Sequence, residues 1–132
     1  VPVAVDPGEV AAFLASPLGR RLISAPHVRR EGAFNISLPA SALDLSPSDA
    51  PVILQGVIDC CFLEDGQWVL IDYKTDGVLP GVSAANAARK HARQVKLYAH
   101  ALGRLTGIPV KTRAVVLFSY RAAVEIEGED EA

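Results

Sequence analysis

The chain has 132 residues, half of which are apolar, and a formal net charge of −2. This length suits a single domain spanning residues 1–132, and the apolar fraction is large enough to bury a core. No apolar stretch reaches the roughly 18 residues that a membrane-spanning helix needs, and the N-terminal residues do not resemble a signal peptide. The sequence therefore predicts a soluble globular domain. The absence of methionine at its start and elsewhere predicts a piece of a longer protein.

The hydrophobic periodicity predicts the order helix, three strands, helix and strand. A first helix is expected at Pro7–Ala25, with Pro17 and Gly19 breaking or bending it. The further segments are strand Val28–Leu38, loop Pro39–Pro51, strands Val52–Leu63 and Gln67–Lys74, helix Ser83–Leu105 and strand Lys111–Tyr120. This order is typical of an α/β fold in which helices flank a mixed central sheet.

A tight hairpin is predicted between the second and third strands. Asp65-Gly66 is a strong signal for a two-residue turn, which pairs Glu64 with Gln67. Continuing this register along the hairpin places Asp59 directly opposite Asp72. The sequence therefore predicts two carboxylates side by side within a sheet.

Side-chain alternation predicts which residues share each face of the hairpin. Asp59, Asp72 and Lys74 are expected on one face. The opposite face is expected to be apolar and to hold Leu54, Gly56, Ile58, Cys60, Phe62, Val69, Ile71 and Tyr73. Directly opposed carboxylates destabilise a sheet, so a divalent cation such as Mg²⁺ or Mn²⁺ would offset their repulsion. A charge-balanced surface facing solvent is the alternative, with Lys74 supplying the balance.

The basic residues are concentrated after these carboxylates. No acidic residue occurs between Gly77 and Val124, and that span contains Arg89, Lys90, Arg93, Lys96, Arg104, Lys111, Arg113 and Arg121. A basic region beside an acidic cluster suits a polyanionic substrate held by a metal ion. A solvated helix face is the alternative interpretation.

The two cysteines, Cys60 and Cys61, are neighbours in a predicted strand. Adjacent strand residues point to opposite faces, so a disulfide between them is geometrically awkward. We expect buried thiols in a reducing, cytoplasmic compartment. Two cysteines without a nearby histidine do not make a zinc site.

Four segments together resemble the RecB-like branch of the PD-(D/E)xK nucleases. They are RREGAF (29–34), GVIDC (56–60), VLIDYKTD (69–76) and QVKLYA (94–99), and the following ALGRLTGIPV resembles the closing helix and strand of that branch. The nearest resemblance is to the C-terminal nuclease domain of AddA-type helicase–nucleases. The metal-ligating histidine that the family usually carries upstream has no clear match, because His27 lies too close to the first strand.

The resemblance implies metal-dependent hydrolysis of DNA phosphodiester bonds. Asp59, Asp72 and the backbone carbonyl of Tyr73 would hold Mg²⁺ or Mn²⁺. Lys74 would orient a water or stabilise the charged transition state, and Glu31 would hold a second ion or a water. Two further site residues, Gln94 and Tyr98, share one helix face and would contact the DNA or brace the site.

The resemblance also implies contacts with partners. Phosphate contacts are expected from Arg89, Lys90, Arg93 and Lys96. The substrate would be a single DNA strand fed from a helicase, and the expected protein partner is of the AddB type. Asp76 is interpreted as a turn residue, and Trp68 as packing at the sheet edge or as a base-stacking platform.

Three other functions are compatible with parts of the pattern. A nuclease fold that has lost catalysis would bind DNA, although the intact Asp, Asp and Lys argue against it. A stand-alone RecB-like nuclease of another pathway, such as a CRISPR-associated exonuclease, would commonly carry extra cysteines for an iron–sulfur cluster. The third is an α/β interaction module with a coincidental DYK strand.

Overall fold

The computed structural model describes residues 6–43 and 48–127, in which five strands form one mixed sheet in sequential order. The strands are β1 (Val28–Pro39), β2 (Pro51–Glu64), β3 (Gln67–Lys74), β4 (Val110–Leu117) and β5 (Ala122–Glu125). β3 and β4 run parallel, whereas the other neighbouring pairs are antiparallel. β3 therefore has an antiparallel neighbour on one side and a parallel neighbour on the other.

Helices cover both faces of the sheet. They are α1 (Pro7–Ala15), α2 (Pro17–Ser24), α3 (Ala84–Arg89) and α4 (Ala92–Thr106). α1 and α2 pack on one face, while α3 and α4 pack on the other and form the crossover that a parallel β3–β4 pair requires. This arrangement confirms the predicted α/β fold with a mixed sheet flanked by helices. Among the described residues, none of the helices has the length and hydropathy needed to span a membrane.

The predicted break in the first helix occurs at Ser16. Its backbone N–H donates to Phe13 at the end of α1, and its side chain accepts from Gly19 N at 3.2 Å at the start of α2. Pro17 fits the first position of α2, where its missing N–H costs no helical hydrogen bond. Ser16 therefore caps both helices at once.

The C-terminal elements differ from the prediction. The expected helix Ser83–Leu105 is two helices that are interrupted at Lys90 and His91. The expected last strand ends at Leu117, because a 3₁₀ turn and a left-handed residue, Arg121, reverse the chain into the unpredicted β5. In the predicted loop after β1, residues 40–43 form a 3₁₀ turn and residues 44–47 lie outside the described part.

The hairpin turn follows the prediction. Asp65 and Gly66 both have positive φ, at 54° and 78°, as a type I′ turn requires. The register then runs from Glu64↔Gln67 through Cys60↔Ile71. Local turn chemistry has therefore set the alignment of β2 with β3.

Both faces of the hairpin are buried. Cys61 and Leu70 pack beneath α3 and α4, and Cys60 and Phe62 pack on the α1–α2 side. The two cysteines are free and buried, as expected. The prediction of one apolar and one polar face is wrong, because α4 covers the face that carries Asp72.

An ion network at the hairpin tip joins α2, β2 and β4. Arg21 donates two hydrogen bonds to Glu64, at 2.9 and 2.8 Å, and Lys111 Nζ lies 2.7 Å from Glu64 Oε1. These cations lower the pKa of Glu64 from its ordinary value of 4.5 to about 2, with the Arg21 hydrogen bonds as the main cause. The folded state therefore favours the ionised carboxylate.

Because the folded-state pKa of Glu64 is depressed, its stabilising contribution is present above pH 4.5 and is lost as the pH falls towards 2. Glu64→Gln should therefore lose less stability than the parent chain over this interval. Urea unfolding at a series of pH values measures the difference. Asp49→Asn, at an exposed carboxylate, is the control and should behave like the parent. An acid profile of Glu64→Gln that matches the parent would contradict the role of the network.

Candidate active site

The side chains of β2 change faces at Asp59. Ile58 and Cys61 share the core beneath α3 and α4, whereas Cys60 lies in the opposite core. Strict alternation of side chains along the strand would place Ile58 and Cys60 on the same face, which is what the sequence predicted. The β1–β2 pairing is interrupted at the same level, where Glu31 stands across from Asp59 with a left-handed φ of 52°. Asp59 therefore occupies an irregular point of the strand.

This irregularity turns the Asp59 carboxylate towards β3. The β2–β3 pairing ends at Cys60↔Ile71, and Asp59 Oδ2 accepts a hydrogen bond from Tyr73 N at 2.8 Å. The Asp59 carboxylate thus accepts a backbone hydrogen bond that a carbonyl group of β2 would accept in a regular strand pair. The described pairing stops short of the predicted direct opposition with Asp72, but the two carboxylates interact, since Asp59 raises the pKa of Asp72.

Asp72 is a buried carboxylate near the end of β3, with only 7% of its surface exposed. Burial is the main reason that its pKa is raised, and Asp59 adds to the effect. Lys74 opposes it through an ion pair in which Nζ lies 3.1 Å from Asp72 Oδ2. Within the described chain, this Oδ2 has no hydrogen bond of regular geometry. The site therefore contains a buried hydrogen-bond acceptor that is only partly satisfied, by its ion pair with Lys74.

Helix α4 completes the site above Lys74. Lys74 Nζ donates to Gln94 Oε1 at 3.0 Å. Tyr98, one turn further along, packs edge-on against Phe34 of β1 with ring centroids 5.0 Å apart. The two helix residues thus have different roles: Gln94 contacts the charged cluster, and Tyr98 braces α4 on the sheet.

Gly56 makes the close approach of Tyr98 possible. A Cβ at this position would lie 2.7 Å from Tyr98 Cζ and would overlap Tyr98 Oη. The glycine in the GVIDC segment is therefore needed to seat α4, at a point three residues before Asp59.

The structure shows no contact between the other predicted site residues and Asp72 or Lys74 among the described residues. Glu31 is exposed, and within residues 6–43 and 48–127 no three His, Cys, Asp or Glu side chains form a group that could hold a metal ion. Arg89 and Arg93 are exposed, whereas Lys90 pairs with Asp76. Lys96 lines a groove of about 460 Å³ beside the end of α4. His27 is exposed, and its carbonyl accepts from Leu63 N.

Two residues differ from their sequence interpretation. Trp68 is 3% exposed, its Nε1 donates to Thr106 at 2.9 Å, and the Arg29 guanidinium lies over its ring. It is a core residue, so the base-stacking interpretation is wrong. Asp76 is more than a turn residue, because its carboxylate binds His91 at 2.7 Å. The break between α3 and α4 could have indicated this contact, but no Pro or Gly at Lys90 and His91 marks the break in the sequence.

Comparison with known proteins agrees with this geometry. The sequence matches the PD-(D/E)XK nuclease superfamily over residues 8–130. The chain belongs to this superfamily. The plain α/β interaction module is thereby excluded.

Relatives of the chain are described as ATP-dependent helicase/nuclease subunits of the A type. The protein from Desulforamulus reducens is 39% identical over 126 residues, which cover 93% of this chain and 10% of the relative. The protein from Acetivibrio thermocellus is 40% identical over 119 residues, with coverage of 86% and 9%. The protein from Geobacillus kaustophilus is 37% identical over 133 residues, with coverage of 94% and 11%. The chain spans about a tenth of the length of these relatives.

PD-(D/E)XK nucleases generally use divalent metal ions, and the donor atoms here fit such an ion. Asp59 and Asp72 offer hard carboxylate oxygens, which Mg²⁺ and Mn²⁺ prefer. The buried Oδ2 of Asp72 is oriented beside a second carboxylate and lacks a regular hydrogen bond among the described residues. A cation would satisfy this oxygen and relieve the repulsion between the two acids.

Gly56→Ala should displace Tyr98 and destabilise the domain by about 1–3 kcal/mol, because the added Cβ overpacks a half-buried contact. Gly32→Ala is the matched control in the neighbouring strand, because a Cβ there has no atom within 4 Å. Urea unfolding of both variants measures the difference. Equal stability of the two variants would show that Tyr98 does not require the glycine.

Proposed function

We propose that residues 1–132 form the metal-dependent nuclease domain of a larger AddA-type helicase–nuclease, which hydrolyses DNA phosphodiester bonds during double-strand-break repair and recombination. The observation that carries the proposal is the buried Asp72 carboxylate, in contact with Asp59 and Lys74 at the end of a central strand. The superfamily supports nuclease chemistry, and the names of the relatives support the helicase–nuclease context.

In this proposal Asp59, Asp72 and the backbone carbonyl of Tyr73 hold Mg²⁺ or Mn²⁺. When bound, the ion would polarise the scissile phosphate and make water a better nucleophile at neutral pH. Asp59 already anchors this arrangement, because its bond to Tyr73 N fixes the backbone next to the proposed carbonyl ligand. Burial of Asp72 keeps bulk water from competing for its oxygens.

Lys74 and Gln94 are the proposed partners of the reacting phosphate. Lys74 Nζ lies between Asp72 and Gln94, and the Lys74 side chain is 23% exposed, so it can orient a water or stabilise developing charge on the phosphate. Gln94 uses its Oε1 for Lys74. Its amide N–H groups make no hydrogen bond within the described chain and can donate to the substrate. Glu31, across the β1–β2 pair from Asp59, is proposed to hold water at the rim of the site.

DNA contacts outside the cluster are proposed for Arg89, Lys90, Arg93 and Lys96. Such contacts position a phosphate backbone without reading its sequence. The proposed substrate is a single strand delivered by the helicase part of the parent, and the proposed protein partner is of the AddB type. A CRISPR-type nuclease with an iron–sulfur cluster is disfavoured, because Cys60 and Cys61 are buried in opposite cores.

The parent protein should cleave DNA with Mg²⁺ or Mn²⁺, and Asp72→Ala or Lys74→Ala should reduce cleavage at least ~100-fold without unfolding it. Each substitution removes a metal ligand or a group that stabilises the transition state. Asp49→Ala, at an exposed carboxylate, is the control for general effects of charge. Nuclease assays with purified variants decide between the alternatives. Full activity of Asp72→Ala would refute the site, and DNA binding without cleavage by the parent would favour a catalytically silent module.

The 132-residue chain by itself should fold as a monomer, bind Mn²⁺ weakly and cleave DNA poorly. Two carboxylates and one carbonyl leave such an ion largely hydrated, so its binding would depend on a substrate phosphate. Isothermal titration with Mn²⁺, with and without a non-cleavable oligonucleotide, measures this dependence. Tight stoichiometric binding without DNA would show that this chain contains a complete ligand set.

A further inference from the structure

Asp76 fastens the segment after β3 to the start of α4. Its Oδ2 lies 2.7 Å from His91 Nε2 and 3.2 Å from Lys90 Nζ. The His91 side chain is only 15% exposed, whereas that of Lys90 is 60% exposed. His91 is the main reason that the pKa of Asp76 is lowered. The Asp76–His91 contact is therefore the better shielded of the two.

This contact forms the second of two cross-links between the same two segments. Lys74 bonds to Gln94, and Asp76 bonds to His91. Residues two apart in an extended chain are separated by about 6.6 Å, and residues three apart in a helix rise by about 4.5 Å. The separation of Lys74 from Asp76 along the chain is close enough to that of His91 from Gln94 along the helix for both cross-links to form together. A shift of α4 by one residue would break both of them.

The interruption of the helix is consistent with this constraint. Lys90 and His91 separate α3 from α4 although neither is Pro or Gly. His91 stands at the N-cap position of α4 without a side-chain cap bond, and its imidazole instead contacts Asp76. The break allows α4 to be oriented by the β3 segment independently of α3.

We infer that Asp76 and His91 are positioning residues that hold Gln94 against Lys74 at the catalytic cluster. The inference rests on the proposed nuclease function and adds two residues to it. Neither residue needs to touch the DNA. Asp76 fixes His91, His91 fixes the first turn of α4, and that turn carries Gln94.

The test is a double-mutant cycle in the parent helicase–nuclease, with DNA cleavage measured under single-turnover conditions. His91→Ala should lower the cleavage rate about 10- to 100-fold with little change in the KM for DNA, because the loss is one of alignment. Gln94→Ala should show a similar loss. The double variant should be no slower than Gln94→Ala alone, since residues that act as a unit are not additive.

Three further variants make the outcome specific. His91→Gln places an amide nitrogen close to the position of the imidazole Nε2 and should restore much of the rate. Asp76→Ala removes the acceptor from a loop residue whose side chain is 24% exposed, so it should fold even if His91→Ala does not, and it should show the same non-additivity with Gln94→Ala. His100→Ala, at an exposed histidine of the same helix, is the control and should keep the parent rate.

The inference would be overturned if His91→Ala and Asp76→Ala both showed additive losses with Gln94→Ala. A parent-like rate for Asp76→Ala while Asp72→Ala is inactive would also overturn it, and in that case the proposed function would stand. A parent-like rate for Asp72→Ala would instead overturn the proposed function itself.

Discussion

The structure is organised around a carboxylate that is buried beside another carboxylate. Asp72 lies within a central strand between two packed layers, and its ionised form is disfavoured by burial and by Asp59. Placing charges there costs free energy unless they are paired, and Lys74 supplies only part of the compensation. Such a local conflict with the rules of stable packing is typical of functional sites. PD-(D/E)XK nucleases generally use divalent metal ions, and such an ion would resolve the conflict.

The surrounding fold places other polar side chains close to Asp72. The irregularity at Glu31 and Asp59 turns one carboxylate towards β3. The crossover after β3 returns α4 over the same strand, where Gln94 reaches Lys74. Gly56 lets the helix approach closely enough for this contact. The strand, its irregular point and the helix thus converge on Asp72.

Local signals in the sequence predicted the parts of this arrangement that depend on neighbouring residues. The Asp65-Gly66 turn fixes its own conformation, so the register of the hairpin followed from it as far as Cys60. The Ser16-Pro17 break followed in the same way from the residues at the break. The family resemblance, rather than periodicity, indicated Gln94 and Tyr98 as site residues. The structure assigns them different contacts.

Features that depend on distant contacts could not be predicted in this way. Alternation through β2 predicts Ile58 and Cys60 on the same face, but the structure departs from this where the β1–β2 pairing is interrupted at Glu31. His91, at the interruption between α3 and α4, contacts Asp76, which lies fifteen residues earlier in the chain. The sequence therefore indicated candidate side chains for the chemistry, but not the irregularities that orient them.

The most direct test of the central claim is anomalous diffraction from crystals of this chain soaked in a high concentration of Mn²⁺. We predict a peak bonded to carboxylate oxygens of both Asp59 and Asp72, at about 2.1 Å as hard divalent ions require. Lys74 should then move away from Asp72 while keeping its contact with Gln94. A peak elsewhere, with Lys74 still paired with Asp72, would contradict the claim that these carboxylates form the metal site.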